Sequence, residues 1–306
     1  MVRVASEWLA TCGGCEITIL DIGEPLLDLL PKLQFVHMPV IMDHKYYGQT
    51  GEMEFNIPEA DVGLISGSIR NEENAKVAQE MRKKCKTLVA VGSCANFGGI
   101  PALANMFTLQ DMLDTVYRKT RTTVPADNPS MDITPLGDRV YSVSEVVKVD
   151  LGLPGCPTTP ELIAQAIVAL LEGKPFSLVE RSVCDDCPTR REKKAVSSLK
   201  RPLDRVEFAP GQKYEDVRCF MEQGYLCLGP ATRTGCGGTD KVPRCIRAYT
   251  SCRGCFGPIR AGANPMVDMM GALSSVGLDP RQIEDRMATF NRFVGVVGRL
   301  RPVAVR

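Results

Sequence analysis

The chain has 306 residues, with 37 Lys and Arg against 36 Asp and Glu, a formal net charge of +1. That balance excludes the broad basic surface that nucleic acid or an anionic membrane demands. No run reaches the ~18 consecutive apolar residues of a membrane-spanning helix, and the length suits two domains with substantial cores.

The first residues run directly into a strand, 2–9, with no charged and then apolar leader and no twin-arginine pair, which points to a cytoplasmic protein. A helix is expected over 16–30, carrying Ile17, Ile19, Leu20, Leu26, Leu27, Leu29 and Leu30, with Glu16 as a helix-start acid. Strands follow at 35–42 and 62–65. Residues 71–85 read as a helix, with Glu72 and Glu73 in its first turn and Arg82, Lys83 and Lys84 in its last. Residues 87–91 form the next strand, 120–134 a polar loop, and 147–151 a further strand. Thr158, Thr159, Pro160 and Glu161 start a helix whose buried stripe is Leu162, Ile163, Ala166, Ile167, Leu170 and Leu171. This alternation implies an α/β, doubly wound parallel sheet with helices on both faces, occupying 1–175. From 176 to 306 the alternation fades into short segments rich in Pro, Gly and Cys, which reads as a small irregular domain ending in a helix over 278–297. The charged run 190–194 reads as a solvated face.

Thirteen cysteines point to metal rather than disulfides, because the cytosol keeps thiols reduced. Only His37 and His44 could supply imidazole, and neither has ligand spacing, which leaves Cys-only zinc or iron–sulfur clusters. Cys12 and Cys15 follow the first strand, Cys94 follows 87–91, and Cys156 follows 147–151. Ligands of open α/β sheets gather beyond the carboxyl ends of the strands, so these four thiols are expected in one crevice. Their loops carry glycine, which lets backbone approach a bulky inorganic core and offer it N–H groups. Eight more cysteines, Cys184, Cys187, Cys219, Cys227, Cys236, Cys245, Cys252 and Cys255, fill the second domain, where clusters would staple a weak core. A 4Fe–4S cluster takes four thiolates. Twelve cysteines therefore make three 4Fe–4S clusters, and Cys85 remains as a free buried thiol. Zinc ribbons place two Cys-x-x-Cys pairs about 15–20 residues apart. Here the pairs 184/187 and 252/255 stand about 65 residues apart with four cysteines between them, which favours iron–sulfur.

Cys12-Gly-Gly-Cys15-Glu16, Gly92-Ser-Cys94-Ala-Asn-Phe-Gly-Gly-Ile100 and Pro154-Gly-Cys156-Pro157 resemble motifs of the small subunit of nickel–iron hydrogenases. The resemblance continues through Cys184-x-x-Cys187-x-x-Arg190, Gly224-Tyr-Leu-Cys227-Leu-Gly-Pro230-Ala-Thr-Arg233 and Cys252-x-x-Cys255, nearly the whole chain in order. The cluster-bearing subunit of respiratory complex I shares the first three motifs and lacks the eight-cysteine domain. The resemblance implies a flavodoxin-like first domain whose proximal cluster, on Cys12, Cys15, Cys94 and Cys156, faces a nickel–iron large subunit. It implies a distal cluster on Cys184, Cys187, Cys219 and Cys227, and a medial one on Cys236, Cys245, Cys252 and Cys255. Periplasmic members place histidine at the position of Cys184 and proline at that of Cys245, and these departures point to the cytoplasmic branch. The stretch 224–233 is most similar to the gamma subunit of the F420-non-reducing, methyl-viologen-reducing hydrogenase of methanogenic archaea. The partners then implied are the large subunit, a small iron–sulfur electron-acceptor subunit and heterodisulfide reductase. The alternatives are the gamma subunit of F420-reducing hydrogenase and a non-catalytic hydrogen-sensing module. No catalytic acid, base or nickel ligand is expected in this chain.

Overall fold

The structure, a computed structural model, describes residues 1–47, 54–192, 196–200, 207–209 and 211–302. Its strands are β1 (Val2–Trp8), β2 (Leu33–His37), β3 (Ala60–Ser66), β4 (Ile69–Asn71), β5 (Cys85–Val91), β6 (Leu136–Tyr141) and β7 (Leu151–Leu153). Five of them form a parallel sheet in the order β2-β1-β3-β5-β7, and β4 and β6 make a separate antiparallel pair. Numbered among the parallel strands alone, this is the 2-1-3-4-5 order of flavodoxin-like folds. The helices of this part are α1 (Gly14–Leu20), α2 (Glu24–Leu29), α3 (Glu72–Lys84), α4 (Gly92–Phe97), α5 (Leu109–Asp114) and α6 (Pro160–Leu171).

Apolar residues on both sheet faces dictate the layers. On one face Ala5, Ile65, Leu88 and Ala90 pack with Val77, Ala78 and Met81 of α3. On the other, Val4 and Leu64 meet Ile19 and Ile167 around a cavity of only about 20 Å³. Helix α3 starts where expected, because the Asn71 side chain accepts the Asn74 N–H at 2.8 Å. Thr159 caps α6 in the same way, accepting the Leu162 N–H at 3.2 Å with Pro160 at the first helical position.

Several expected elements differ. The helix 16–30 is two helices, because Pro25 has no N–H with which to continue α1. The strand at 147–151 begins instead at Leu151: a capping box of Ser142 and Glu145 turns the chain, and Asp150 accepts the Leu88 N–H at 2.9 Å before β7 joins the sheet. Cys85 does not end α3 but opens β5, opposite Ala60, in the core. The terminal helix 278–297 is absent. Asp279 caps a short turn at Pro280–Gln282, and only Arg286–Phe290 is helical.

By its contacts the chain divides into two compact units, Met1–Leu171 with the segment from Phe293 onward, and Glu172–Arg292. The returning segment pairs Val294 with Gly99 and packs Val296 against Ala102 and Val140. The second unit has four short helices among its described residues: α7 (Val183–Asp186), α8 (Arg244–Arg247), α9 (Pro265–Ser275) and α10 (Arg286–Phe290). Its buried side chains include Phe220, Phe256, Met269 and Leu273. In the charged run, Arg191 donates to the Cys184 carbonyl, while Lys193 and Lys194 lie outside the described residues.

His37, which has no ligand spacing in the sequence, is fully buried with its Nε2 against the Glu7 carboxylate. The Tyr46 hydroxyl lies 2.9 Å from both Glu7 oxygens and donates to them. Truncating one member leaves the other polar and dry, at a cost of roughly 3 kcal/mol or more. His37→Leu should therefore lower the urea midpoint of the first unit far more than Glu7→Gln, which keeps an acceptor. The fluorescence of Trp8, the only tryptophan, reports that unit.

Candidate metal centres

Strand register delivers the first four thiols. Trp8 pairs with Ser66, Ser66 with Val91, and Val91 with Leu153, so the carboxyl ends of these strands are level. Cys12, Cys94 and Cys156 each follow such an end by three or four residues, and Cys15 lies in the first turn of α1. The β5 and β7 loops are tied together by the Ser93 N–H to the Gly155 carbonyl, 2.7 Å, and by the Gly155 N–H to Ser93 Oγ, 3.1 Å. Burial pushes the Cys15 and Cys94 thiols up to about 12. Neighbouring groups act in the same sense: Glu16, Cys94 and Cys156 on Cys15, and Cys156, Cys12 and Glu16 on Cys94. The four thiols thus oppose one another's ionisation across one crevice.

Glu16 is more than a helix-start acid. It is 3% exposed, accepts a hydrogen bond from the Ser66 hydroxyl on one carboxylate oxygen, and has no partner among the described residues for the other. Only its adjacency to Cys15 and the polar Ser66 at the end of a strand could have signalled this.

The second unit holds its eight thiols within reach of one another's charge. Burial pushes Cys184 up to about 12; among its neighbours, Arg191 lowers it while Cys187 and Cys219 raise it. Cys227 is raised by burial, then by Cys184 and Cys219. Burial likewise raises Cys236 and Cys252; Cys245 opposes the ionisation of Cys236, and Cys227, then Cys245 and Cys255, oppose that of Cys252. The Cys252 N–H donates to Cys227 Sγ at 3.3 Å. All thirteen cysteines are free thiols, and Cys85 is 3% exposed, packed in the first core away from the other twelve.

This donor set fits iron–sulfur clusters. The thiols of both units have thiol neighbours, and no imidazole stands among the groups that shift them. Backbone N–H groups of Thr158, Ile100 and Gly229 hydrogen-bond to the Cys15, Cys94 and Cys227 sulfurs, the kind of contact that tunes a cluster's potential. Gly92 leaves the space that the Cys15 sulfur fills: a Cβ there, at φ +84°, would lie 2.3 Å from it. Among the described residues no three Cys, His, Asp or Glu side chains converge on a single ion, and thiolates at the corners of a cuboidal cluster have no need to.

Residues 12–170 match the family described as NADH ubiquinone oxidoreductase, 20 Kd subunit. Over 293 residues, 95% of this chain and 94% of the relative, the sequence is 38% identical to a subunit of the vhu F420-non-reducing hydrogenase of Methanocaldococcus jannaschii. The chain belongs to this family of F420-non-reducing hydrogenase subunits. A further relative, the iron-sulfur subunit of the F420-non-reducing hydrogenase of Archaeoglobus profundus, is 31% identical over 91% of this chain and 89% of its own. Among solved structures, a chain of an NAD+-reducing [NiFe]-hydrogenase in the H2-reduced state matches 58% of this chain and 94% of its own, at 33% identity and a TM-score of 0.52. Membership makes this chain a subunit of a nickel–iron hydrogenase, an oxidoreductase with hydrogen as donor. Among the described residues no helix is long and apolar enough to cross a membrane.

Gly92→Ala should displace the Cys15 sulfur. Gly173→Ala is the control, since Gly173 has φ +64° but nothing within 4 Å of its Cβ position. Iron content should fall in the first variant and hold in the second.

Metal-free protein should lose stability in alkali. Unfolded thiols release their protons near pH ~8.5, whereas folded Cys15, Cys94 and Cys184 keep theirs until about 12. The native state then binds more protons than the unfolded one, so stability falls as pH rises through that window. The urea midpoint of metal-free protein should drop between about pH 7.5 and about pH 9.5, and metal-loaded protein should lack this slope.

Proposed function

We propose that this chain is the electron-transfer subunit of a cytoplasmic hydrogenase and holds three 4Fe–4S clusters. The proposed ligand sets are Cys12, Cys15, Cys94 and Cys156 (proximal), Cys236, Cys245, Cys252 and Cys255 (medial), and Cys184, Cys187, Cys219 and Cys227 (distal). The proposed division gives one cluster to the first unit and two to Glu172–Arg292; the expected boundary at 175/176 lies close to Leu171, but the expected second domain does not run to 306, because the segment from Phe293 returns to the first unit. The observation that carries the reading is the gathering of Cys12, Cys15, Cys94 and Cys156 at level strand ends, with the eight thiols of the second unit coupled to one another and Cys85 left in the core. Bound clusters would supply one-electron redox chemistry with little nuclear movement. The chain's own residues hold the sulfurs, bury most of them at least in part and present N–H donors. The short contact between Cys252 and Cys227 supports electron passage between the medial and distal groups.

The partner proposed at the proximal group is the nickel–iron large subunit. Exposed Trp8, Ile17 and Ile100 lie close in sequence to Cys12, Cys15 and Cys94, and exposed apolar side chains of this size suit a protein interface. Beyond the distal group we propose a small iron–sulfur acceptor subunit and then heterodisulfide reductase, the partners of the family branch that the motifs resemble. The cytoplasmic assignment rests on thirteen thiols without a disulfide, which suits a reducing compartment.

Anaerobically purified protein should contain about 12 iron and about 12 acid-labile sulfide per chain. Zinc in place of iron, or about four irons, would refute the three-cluster reading. Cys156→Ser should remove about a third of the iron, while Cys85→Ser should remove none. Cys245→Pro should convert one cluster alone to a three-iron form, seen as a new EPR signal in the oxidised protein. An unchanged spectrum would take Cys245 out of the medial set.

A further inference from the structure

The second unit contains a concavity of about 460 Å³, within the range that takes a small organic molecule. Tyr225, Leu228 and Ile283 give it apolar walls, and Cys252 lies at its edge. Lys200, Arg253 and Arg292 supply three cations, and no carboxylate lines it among the described residues. Lys200 is partly committed: its ammonium lies 5.5 Å from the centre of the Tyr225 ring and 3.4 Å from Glu207. Arg253 and Arg292 are exposed and make no ion pair among the described residues. The wall beside them is fixed, because the Leu228 N–H donates to the Cys252 carbonyl at 2.9 Å and the Cys252 N–H to Cys227 Sγ.

Two unpaired guanidiniums beside an aromatic and aliphatic wall are a selective arrangement. Guanidinium forks bind planar oxyanions through paired N–H donors. The apolar wall rewards a body that leaves water, which a bare inorganic anion does not have. We propose that this pocket binds a small molecule with a flat apolar body and an anionic head, a carboxylate, sulfonate or phosphate. Arg253 and Arg292 take the head; Tyr225, Leu228 and Ile283 take the body. Of the twelve proposed cluster ligands only Cys252 lines this pocket, and binding is read from the arginines and the apolar wall whichever cluster Cys252 holds.

The test is calorimetric titration of the anaerobically purified full chain with anthraquinone sulfonate, its neutral hydroxymethyl analogue and inorganic phosphate. The sulfonate should bind saturably at one site. Losing either the charge or the body should weaken binding at least about tenfold, as should Arg253→Gln or Arg292→Gln at unchanged iron content. A second readout needs no substitution: the sulfonate should protect Arg253 and Arg292 of the native chain from phenylglyoxal, as seen in peptide masses. Absence of saturable binding, equal binding of the neutral analogue or of phosphate, or modification of both arginines at saturating sulfonate would each overturn the proposal.

Discussion

The arrangement depends on holding sulfur atoms close together and largely out of water, with Cys12 and Cys156 left at the surface. A buried thiolate is costly, and several held in one crevice repel one another, so the metal-free fold favours protonated thiols at every site where burial raises the pKa. A bound metal cluster reverses that balance by supplying compensating charge, and metal binding then becomes part of folding. The dependence is heavier in the second unit, whose helices are short. Its loops are held by scattered backbone bonds such as the Arg233 N–H to the Gly257 carbonyl at 2.9 Å, and by its cysteines.

The first unit solves the same problem with a sheet. Parallel strands of matched register end in one layer, so loops from distant parts of the sequence open at the same height. The fold supplies the position and glycine supplies the clearance. Glu16 adds a buried carboxylate to the crevice, hydrogen-bonded to a serine at the end of the neighbouring strand.

Much of this was legible in the residues. Parallel strands declare themselves as short apolar runs, and the cysteines just after them mark the crevice. The cap at Asn71 and the Pro160 helix start were readable because capping is local chemistry. What was not legible depends on distant partners. β4 and β6 are three and six residues long and exist only through each other. Cys85 looked helical because Arg82, Lys83 and Lys84 run up to it, yet pairing with β3 draws it into the sheet. The 278–297 stretch is apolar enough for a helix, but Pro280 interrupts it and its last residues pack on Gly99 and Ala102, far back in the sequence.

That returning segment has a consequence for how the protein is made. Residues Glu172–Arg292 are topologically an insertion: the chain leaves the first unit after Leu171 and re-enters it at Phe293. Val294 and Val296 complete the packing around Gly98, Gly99 and Ala102, next to the Cys94 loop. Synthesis proceeds from the N-terminus and domains generally fold as units. Here the packing around Gly98, Gly99 and Ala102 is incomplete until Val294 and Val296 have left the ribosome, by which time every cysteine of the insertion has already emerged. Assembly of this protein is therefore a late event, with all thirteen thiols present before the first unit is finished.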